Sequence, residues 1–367
     1  MSGGDSPPAL DLSTIEGITV YLNSNNSSFR SGHVRGVLTN VDRVTGGLAN
    51  HTYRARFEGP DGPYSLIVKY SPPNVAFDIN FALTNKRGFF EYSSLAHVPK
   101  LPTSVPNLVD HSKAVHYDTE AHVLVLADVG KSAQTLKKRL IDDATTIDVR
   151  SIGRGLGEWL AELHLWGETD AAAPLREVLS KNIEVADVAL RYTFGGLVPD
   201  DDPLWKEVRQ HVESIRAAIP TSPFIVHGDF WTGNVLLSDG DEPGTPKLTV
   251  LDWEACNCRA IPWNDIGQMC SEMYQPTFFG HAGEEGPQLI AAFLEGYKSR
   301  KAISKEDARM AVVRFGVHLF VWPGMSGWGN DESVGRCKEL GREYIQRAWS
   351  RDWEWIKSST LGELLDD

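Results

Sequence analysis

Cysteine is scarce in this chain, and positive charge is outweighed. Four cysteines in 367 residues (Cys256, Cys258, Cys270 and Cys337) exclude a disulfide-dense secreted scaffold. Cys256 and Cys258 flank Asn257, which is not a usual zinc spacing, and no second pair completes a metal site. Reduced thiols in a cytoplasmic protein are the expectation. Lys and Arg total 36 against 49 Asp and Glu, a net charge of −13. That balance argues against nucleic acid or an anionic membrane as the main partner. It suits a cationic small substrate, and it serves solubility in any case. Long apolar runs are also missing: residues 311–325, the most apolar stretch, contain Arg314, His318 and Pro323 and are too short to span a bilayer. The start carries Asp5 and Asp11 with no basic cluster or apolar run, so no signal peptide is expected, and residues 1–13 read as a loose tail. No internal repeat is visible, and the sequence leaves the oligomeric state open.

What is present is concentrated in His227-Gly228-Asp229-Phe230-Trp231-Thr232-Gly233-Asn234 and Leu251-Asp252-Trp253-Glu254. Residues 224–226, 235–237 and 248–251 are short β-prone apolar runs, and the turn-rich residues 238–246 separate the last two. That is a hairpin with a wet tip. In an antiparallel hairpin the start of one strand lies beside the end of the other. Asn234, before the outgoing strand, therefore converges with Asp252, which ends the returning one, and Asp229 sits in the loop just before. Mg²⁺ takes carboxylate and amide oxygens together with nucleotide phosphates. Asn234 and Asp252 fit that role, and Asp229 fits a group that orients an acceptor hydroxyl and takes its proton. The layout is that of a phosphoryl-transfer site.

A second hairpin lies upstream. Residues 44–57, with Gly46, Gly47 and Asn50, read as a glycine-bearing loop running into a strand; residues 58–63 form a turn and 64–70 the return strand. Pairing Phe57 with Tyr64 brings Lys69 back to about Thr52, beside the loop. Backbone N–H groups there can cradle phosphate, and Lys69 adds a point charge. Residues 86–95 have helical spacing, and Glu91 reads equally as a partner for Lys69 or as a solvated surface residue. The apolar run 123–126 ends at Leu126, and main-chain groups from there through Asp128 to Gly130 can meet an adenine ring, making 127–131 a hinge.

Helical patterns follow at 152–165, 181–192, 203–218, 288–300, 305–322 and 332–357. His164 reads as a core histidine. Trp322 and Trp328 flank a breaker-rich loop, where aromatics box a ring or a cation or anchor the core. Glu254 and Trp231, close to the motif, are further candidates for contact with the acceptor. The expected division is a β-rich lobe over residues 1–126, the hinge 127–131, and a larger helical lobe over 132–367, an α+β chain.

With these pieces in order, the chain resembles the aminoglycoside phosphotransferase and choline kinase group from about Gly46 to Asp265. It is most similar there to fungal 4-hydroxytryptamine kinases and methylthioribose kinases. The stretches Asp128-Val129-Gly130-Lys131, Trp231 to Leu237 and Leu251 to Cys256 carry the likeness. It implies a bilobal protein-kinase-like fold and ATP and Mg²⁺ as cofactors. The implied roles are Asp229 as catalytic base, Asn234 and Asp252 as metal ligands, and Lys69 as phosphate contact. Asp265 would brace the catalytic loop. Trp231 stands where many relatives carry His, and the loop is short of glycines; neither fixes the acceptor, which is expected to be a small hydroxylated metabolite. The competing readings are a catalytically silent nucleotide-binding pseudokinase and a metal-dependent hydrolase. The hydrolase would need more His or carboxylate ligands than His227 supplies.

Overall fold

Alternation decides the first sheet: His51, Tyr53, Ala55 and Phe57 are buried while Thr52, Arg54 and Arg56 between them are only partly covered. The computed structural model describes residues 10–24, 34–45, 47–194, 202–218, 223–240 and 245–365. Gly46 of the expected phosphate loop lies outside the described residues. The chain forms two compact units, Met1–Tyr92 with Ser112–Gly130, and Ser93–His111 with Lys131–Asp367.

In chain order the elements that begin in the first unit are α1 (Ile15–Ser24), β1 (Val37–Val44), β2 (His51–Gly59), β3 (Gly62–Tyr70), β4 (Asn74–Val75), β5 (Asp78–Ala82) and α2 (Arg87–His97). After β6 (Val109–His111), the chain returns to it for β7 (Ala114–Asp118) and β8 (Val123–Ala127). Its main sheet has the order β1-β2-β3-β8-β7. The β2–β3 register pairs Phe57 with Tyr64 and Thr52 with Lys69, as the turn composition predicts. α1 seals one face: Ile18, Tyr21 and Leu22 pack with Leu12 against Tyr53, Ala55, Phe57 and Val68. Residues 10–13 are therefore not the loose tail expected. Leu12 is buried, its carbonyl accepts from the Tyr53 hydroxyl at 3.0 Å, and Asp11 accepts from the Ser13 N–H at 3.0 Å.

The second unit continues with β9 (Gln134–Thr135), α3 (Leu136–Asp143), α4 (Val149–Gly167), α5 (Ala173–Leu179), α6 (Ile183–Phe194) and α7 (Pro203–Ala218). Then come β10 (Val235–Asp239), β11 (Pro246–Val250), α8 (Trp263–Phe278), α9 (Glu285–Lys298), α10 (Lys305–Val321), α11 (Asp331–Trp349) and α12 (Trp353–Ser358). Its small sheet has the order β6-β11-β10-β9. β6 runs parallel to β11, with Val109, Asp110 and His111 opposite Leu248, Thr249 and Val250. The Ser104 N–H donates to Glu158 of α4 at 2.5 Å. These contacts correct the expected uninterrupted first lobe: residues 93–111 pack with the helical unit.

Helix α4 approaches α9 so closely that a Cβ on Gly157 would lie 1.9 Å from the Phe293 carbonyl oxygen. Glycine there is a packing requirement. The single helix expected over 332–357 is broken. Arg351 turns left-handed at φ 58, and Asp352 caps α12 by accepting from the Trp355 N–H at 3.2 Å. The run 224–226 is no strand but one antiparallel bridge, Val226 with Asn257. None of the described helices is long and apolar enough to cross a membrane.

Candidate active site

Burial of Ile225 and Val226 and the Val226–Asn257 bridge deliver the chain to His227 at a fixed point of the second unit. Gly228 then takes φ +83, and a Cβ there would sit 2.2 Å from the Ala255 carbonyl oxygen, so only glycine fits the turn. The fully buried Asp265 of α8 holds this turn, accepting from the N–H groups of His227 (2.7 Å) and Gly228 (3.0 Å). Burial pushes its pKa up, but hydrogen bonding and charge from His164, the His227 side chain and the Gly228 N–H outweigh that and leave it lowered. His164 is buried between Asp265 and the Tyr297 hydroxyl, so it is a core histidine. The His227 ring accepts at Nδ1 from the Asp229 N–H (3.3 Å) and donates from Nε2 to the Leu251 carbonyl (2.9 Å), linking loop and hairpin.

Asp229 is partly buried and tethered at both oxygens. Asn234 Nδ2 donates to Oδ2 at 3.0 Å and to the Asp229 carbonyl at 3.0 Å; Gln268 Nε2 donates to Oδ1 at 2.8 Å. Its pKa is raised, first by burial and then by the Asp252 carboxylate, with the two amide donors opposing. β10 and β11 pair from Val235 with Val250 to Asp239 with Pro246, and the Leu251 N–H donates to the Asn234 carbonyl at 2.8 Å. Asn234 and the end of the returning strand thus meet, as the hairpin predicts. Asp252 itself is left-handed, at φ 63 and ψ 63. Aspartate tolerates that region better than most residues, and such a conformation persists only where the surroundings fix it. Carboxylate oxygens of Asp252 and Glu254 lie within 4.8 Å of each other. The Glu254 carbonyl accepts from Asn182 Nδ2 at 2.9 Å.

Behind Asp229 runs a buried polar chain that sequence reasoning missed. Gln268 Oε1 accepts from Arg314 at 2.8 Å, and Arg314 also approaches Nδ1 of His318 at 3.3 Å. His318 Nε2 meets Glu272 at 2.6 Å. Burial lowers the His318 pKa despite Glu272, which fits a neutral ring accepting at Nδ1 and donating from Nε2. The Arg314 pKa is pushed down by burial to about 10, so the guanidinium keeps its charge at neutral pH. One signal was available: Gln268 lies one helical turn beyond Asp265, on the same face of α8.

Trp231 is half-buried over Gly233, while Trp328 is buried. Lys137 of α3 lies 4.2 Å from the Trp328 ring centroid and 5.3 Å from that of Trp231. Trp328 also stacks on Phe279 at 5.9 Å. The cation over this aromatic pair is the chain's own. Trp322 is half-buried and stacks on His318 at 5.9 Å.

In the first unit Lys69 meets both oxygens of Glu91, at 2.7 and 2.9 Å, with both residues buried. Glu91 is thus a partner of Lys69 and not a solvated surface residue. Asn50, expected beside a nucleotide, turns its side chain inward: Oδ1 accepts from Arg87 (2.8 Å) and Ser71 (2.9 Å). Gly47 has room, since a Cβ there would sit 3.8 Å from Thr52 Oγ1. Leu126 is buried in β8, opposite Ile67. The Asp128 carboxylate binds Arg54 (2.6 and 3.1 Å), Ser65 (2.6 Å) and the Gly130 N–H (3.0 Å). Its side chain fixes the turn after β8, which leaves only its main chain for a ligand.

Residues 41–311 match the phosphotransferase enzyme family (APH), and the chain belongs to it. Its reaction class is phosphoryl transfer to a hydroxyl of a small molecule. The chain is similar to a 4-hydroxytryptamine kinase of Psilocybe cubensis, with 26% identity covering 88% of this chain and 90% of the relative. A second 4-hydroxytryptamine kinase, from Psilocybe cyanescens, is 27% identical, covering 92% and 94%. Among solved structures, a microcompartment-associated aminopropanol kinase aligns over 91% of this chain and 98% of its own, at 15% identity and a TM-score of 0.44.

Proposed function

We propose that the chain transfers the γ-phosphoryl group of ATP to a hydroxyl of a small metabolite, with Asp229 orienting that hydroxyl and accepting its proton. The observation that carries this reading is the double tether on Asp229. Two amide donors aim the carboxylate at a fixed point, where it can orient a hydroxyl and take its proton. Lys69, fixed by Glu91, contacts the phosphates as a point charge. The adenine contact falls to main-chain groups around Leu126 and Asp128. Gly46 and Gly47 are assigned to the phosphate loop.

The donor set fits Mg²⁺. With Nδ2 of Asn234 committed to Asp229, its Oδ1 is left for a cation, and Asp252 and Glu254 add neighbouring carboxylates. Bound there, the ion would neutralise charge on the phosphates. The relatives' names make 4-hydroxytryptamine the first acceptor to test; the sequence resemblance adds methylthioribose and amino alcohols. Trp231, half-buried where Trp328 is buried, is the aromatic we assign to the acceptor. The four cysteines are free and buried, which fits a reducing cytoplasm.

The test is mass spectrometry of purified protein incubated with ATP, Mg²⁺ and a pool of these acceptors, with and without EDTA. We expect one acceptor to gain a single phosphoryl group, and EDTA to abolish the product. ATP binding without product from any acceptor would instead favour a silent nucleotide-binding protein.

A further inference from the structure

Arg87, the first residue of α2, is fully buried. A cation at the amino end of a helix opposes the helix dipole, so helix stability does not explain it. Its hydrogen bonds do. Nη2 donates to the carbonyls of Ala49 (2.8 Å) and Asn74 (3.2 Å), and Nε to Asn50 Oδ1 (2.8 Å). Nη1 donates to the carbonyls of Pro72 (2.7 Å) and Thr84 (2.8 Å). One side chain thus ties the glycine-bearing loop to the chain after β3 and to the segment preceding its own helix.

The tie sets a direction. The Ala49 carbonyl also accepts from the Ala76 N–H at 3.1 Å, and the Leu48 carbonyl from the Phe77 N–H at 3.3 Å. Both carbonyls therefore point towards residues 76–77. In a trans peptide the C=O and N–H point to opposite sides, and no described peptide bond is cis. The N–H groups of Ala49 and Asn50 are consequently turned away from that segment. Successive N–H groups held on one side of a loop are what an anion needs. One helical turn along α2, Glu91 holds the ammonium of Lys69. A single helix thus positions both the loop amides and the lysine.

We propose that Arg87 is a positioning residue for the polyphosphate of the nucleotide: it holds the Ala49–Asn50 peptide with its carbonyl inward, so that the loop N–H groups face the phosphates. This rests on the nucleotide reading of Lys69 and the loop. Lysine at position 87 keeps the charge but not the planar fork that reaches Ala49, Asn50 and Pro72 together.

The test is calorimetric titration of ATP and of adenosine into wild type, Arg87→Lys, Arg87→Met and Lys69→Met, with circular dichroism to establish folding. We expect Arg87→Lys to raise the Kd for ATP by about tenfold while the Kd for adenosine moves by less than about twofold. Arg87→Met should do the same more severely; if it fails to fold, Arg87→Lys carries the test. Equal weakening of ATP and adenosine, or unchanged ATP affinity, overturns the proposal and leaves Arg87 a purely structural residue. If Lys69→Met binds ATP as wild type does, or wild type binds none, the nucleotide reading itself falls and this proposal falls with it.

Discussion

Gln268 donates from Nε2 to Oδ1 of Asp229 at 2.8 Å, so the orientation of the candidate base is set from α8 as well as from its own loop. Because Gln268 Oε1 is held by the buried Arg314, its amide cannot turn over without breaking a charge-assisted bond. Gln268→Leu removes one of the two aiming bonds and touches nothing that binds nucleotide. We expect kcat to fall roughly tenfold to a hundredfold with the KM for ATP unchanged, measured in steady state. A matching rise in the KM for ATP with kcat intact would show that Gln268 does not position Asp229.

How much of this was legible in the sequence varies with the kind of contact. The β2–β3 turn at residues 58–63 fixes the hairpin register, and that alone carries Lys69 to Thr52. The β10–β11 hairpin likewise joins Asn234 to the end of the returning strand. Gln268, Arg314 and His318 lie on two helices whose facing is decided by packing, and helical periodicity treats polar residues there as solvated. Arg87 was illegible for the same reason, since a buried arginine has no periodic signature, and with it the inward turn of the Asn50 side chain. The break at Arg351 was hidden because a left-handed turn is announced by glycine, not by arginine.

The Lys69–Glu91 pair has separable structural and functional consequences. Removing one partner strands a buried charge, which costs about 3–5 kcal/mol, whereas removing both is close to neutral. Lys69→Met should therefore lower the Tm and the affinity for ATP, and Lys69→Met with Glu91→Leu should restore the Tm but not the affinity. Thermal melts with and without ATP check this; recovery of ATP binding in the double variant would contradict the phosphate role.

Asp265 gives a pH signature. Its pKa is lowered in the folded protein, so its contribution to stability is fully present above the ordinary carboxylate value of about 3.9 and is lost as pH falls through the lowered one. Asp265→Asn should be clearly less stable than wild type at pH 7, with the gap closing in acid. It should also slow turnover, because the N–H groups of His227 and Gly228 lose a charged acceptor. Denaturant melts from pH 7 down to about 3 provide the measurement. A gap that widens towards low pH would show that the carboxylate is not stabilised in the fold.

Proton transfer by Asp229 is checked by single-turnover phosphorylation with Asp229→Asn. The experiment uses the acceptor found in the panel and saturating ATP, with ATP affinity measured on the same preparation. We expect ATP affinity within about threefold of wild type and a phosphoryl-transfer rate lower by roughly a hundredfold or more. A variant that binds ATP and transfers its phosphoryl group at the wild-type rate would contradict it.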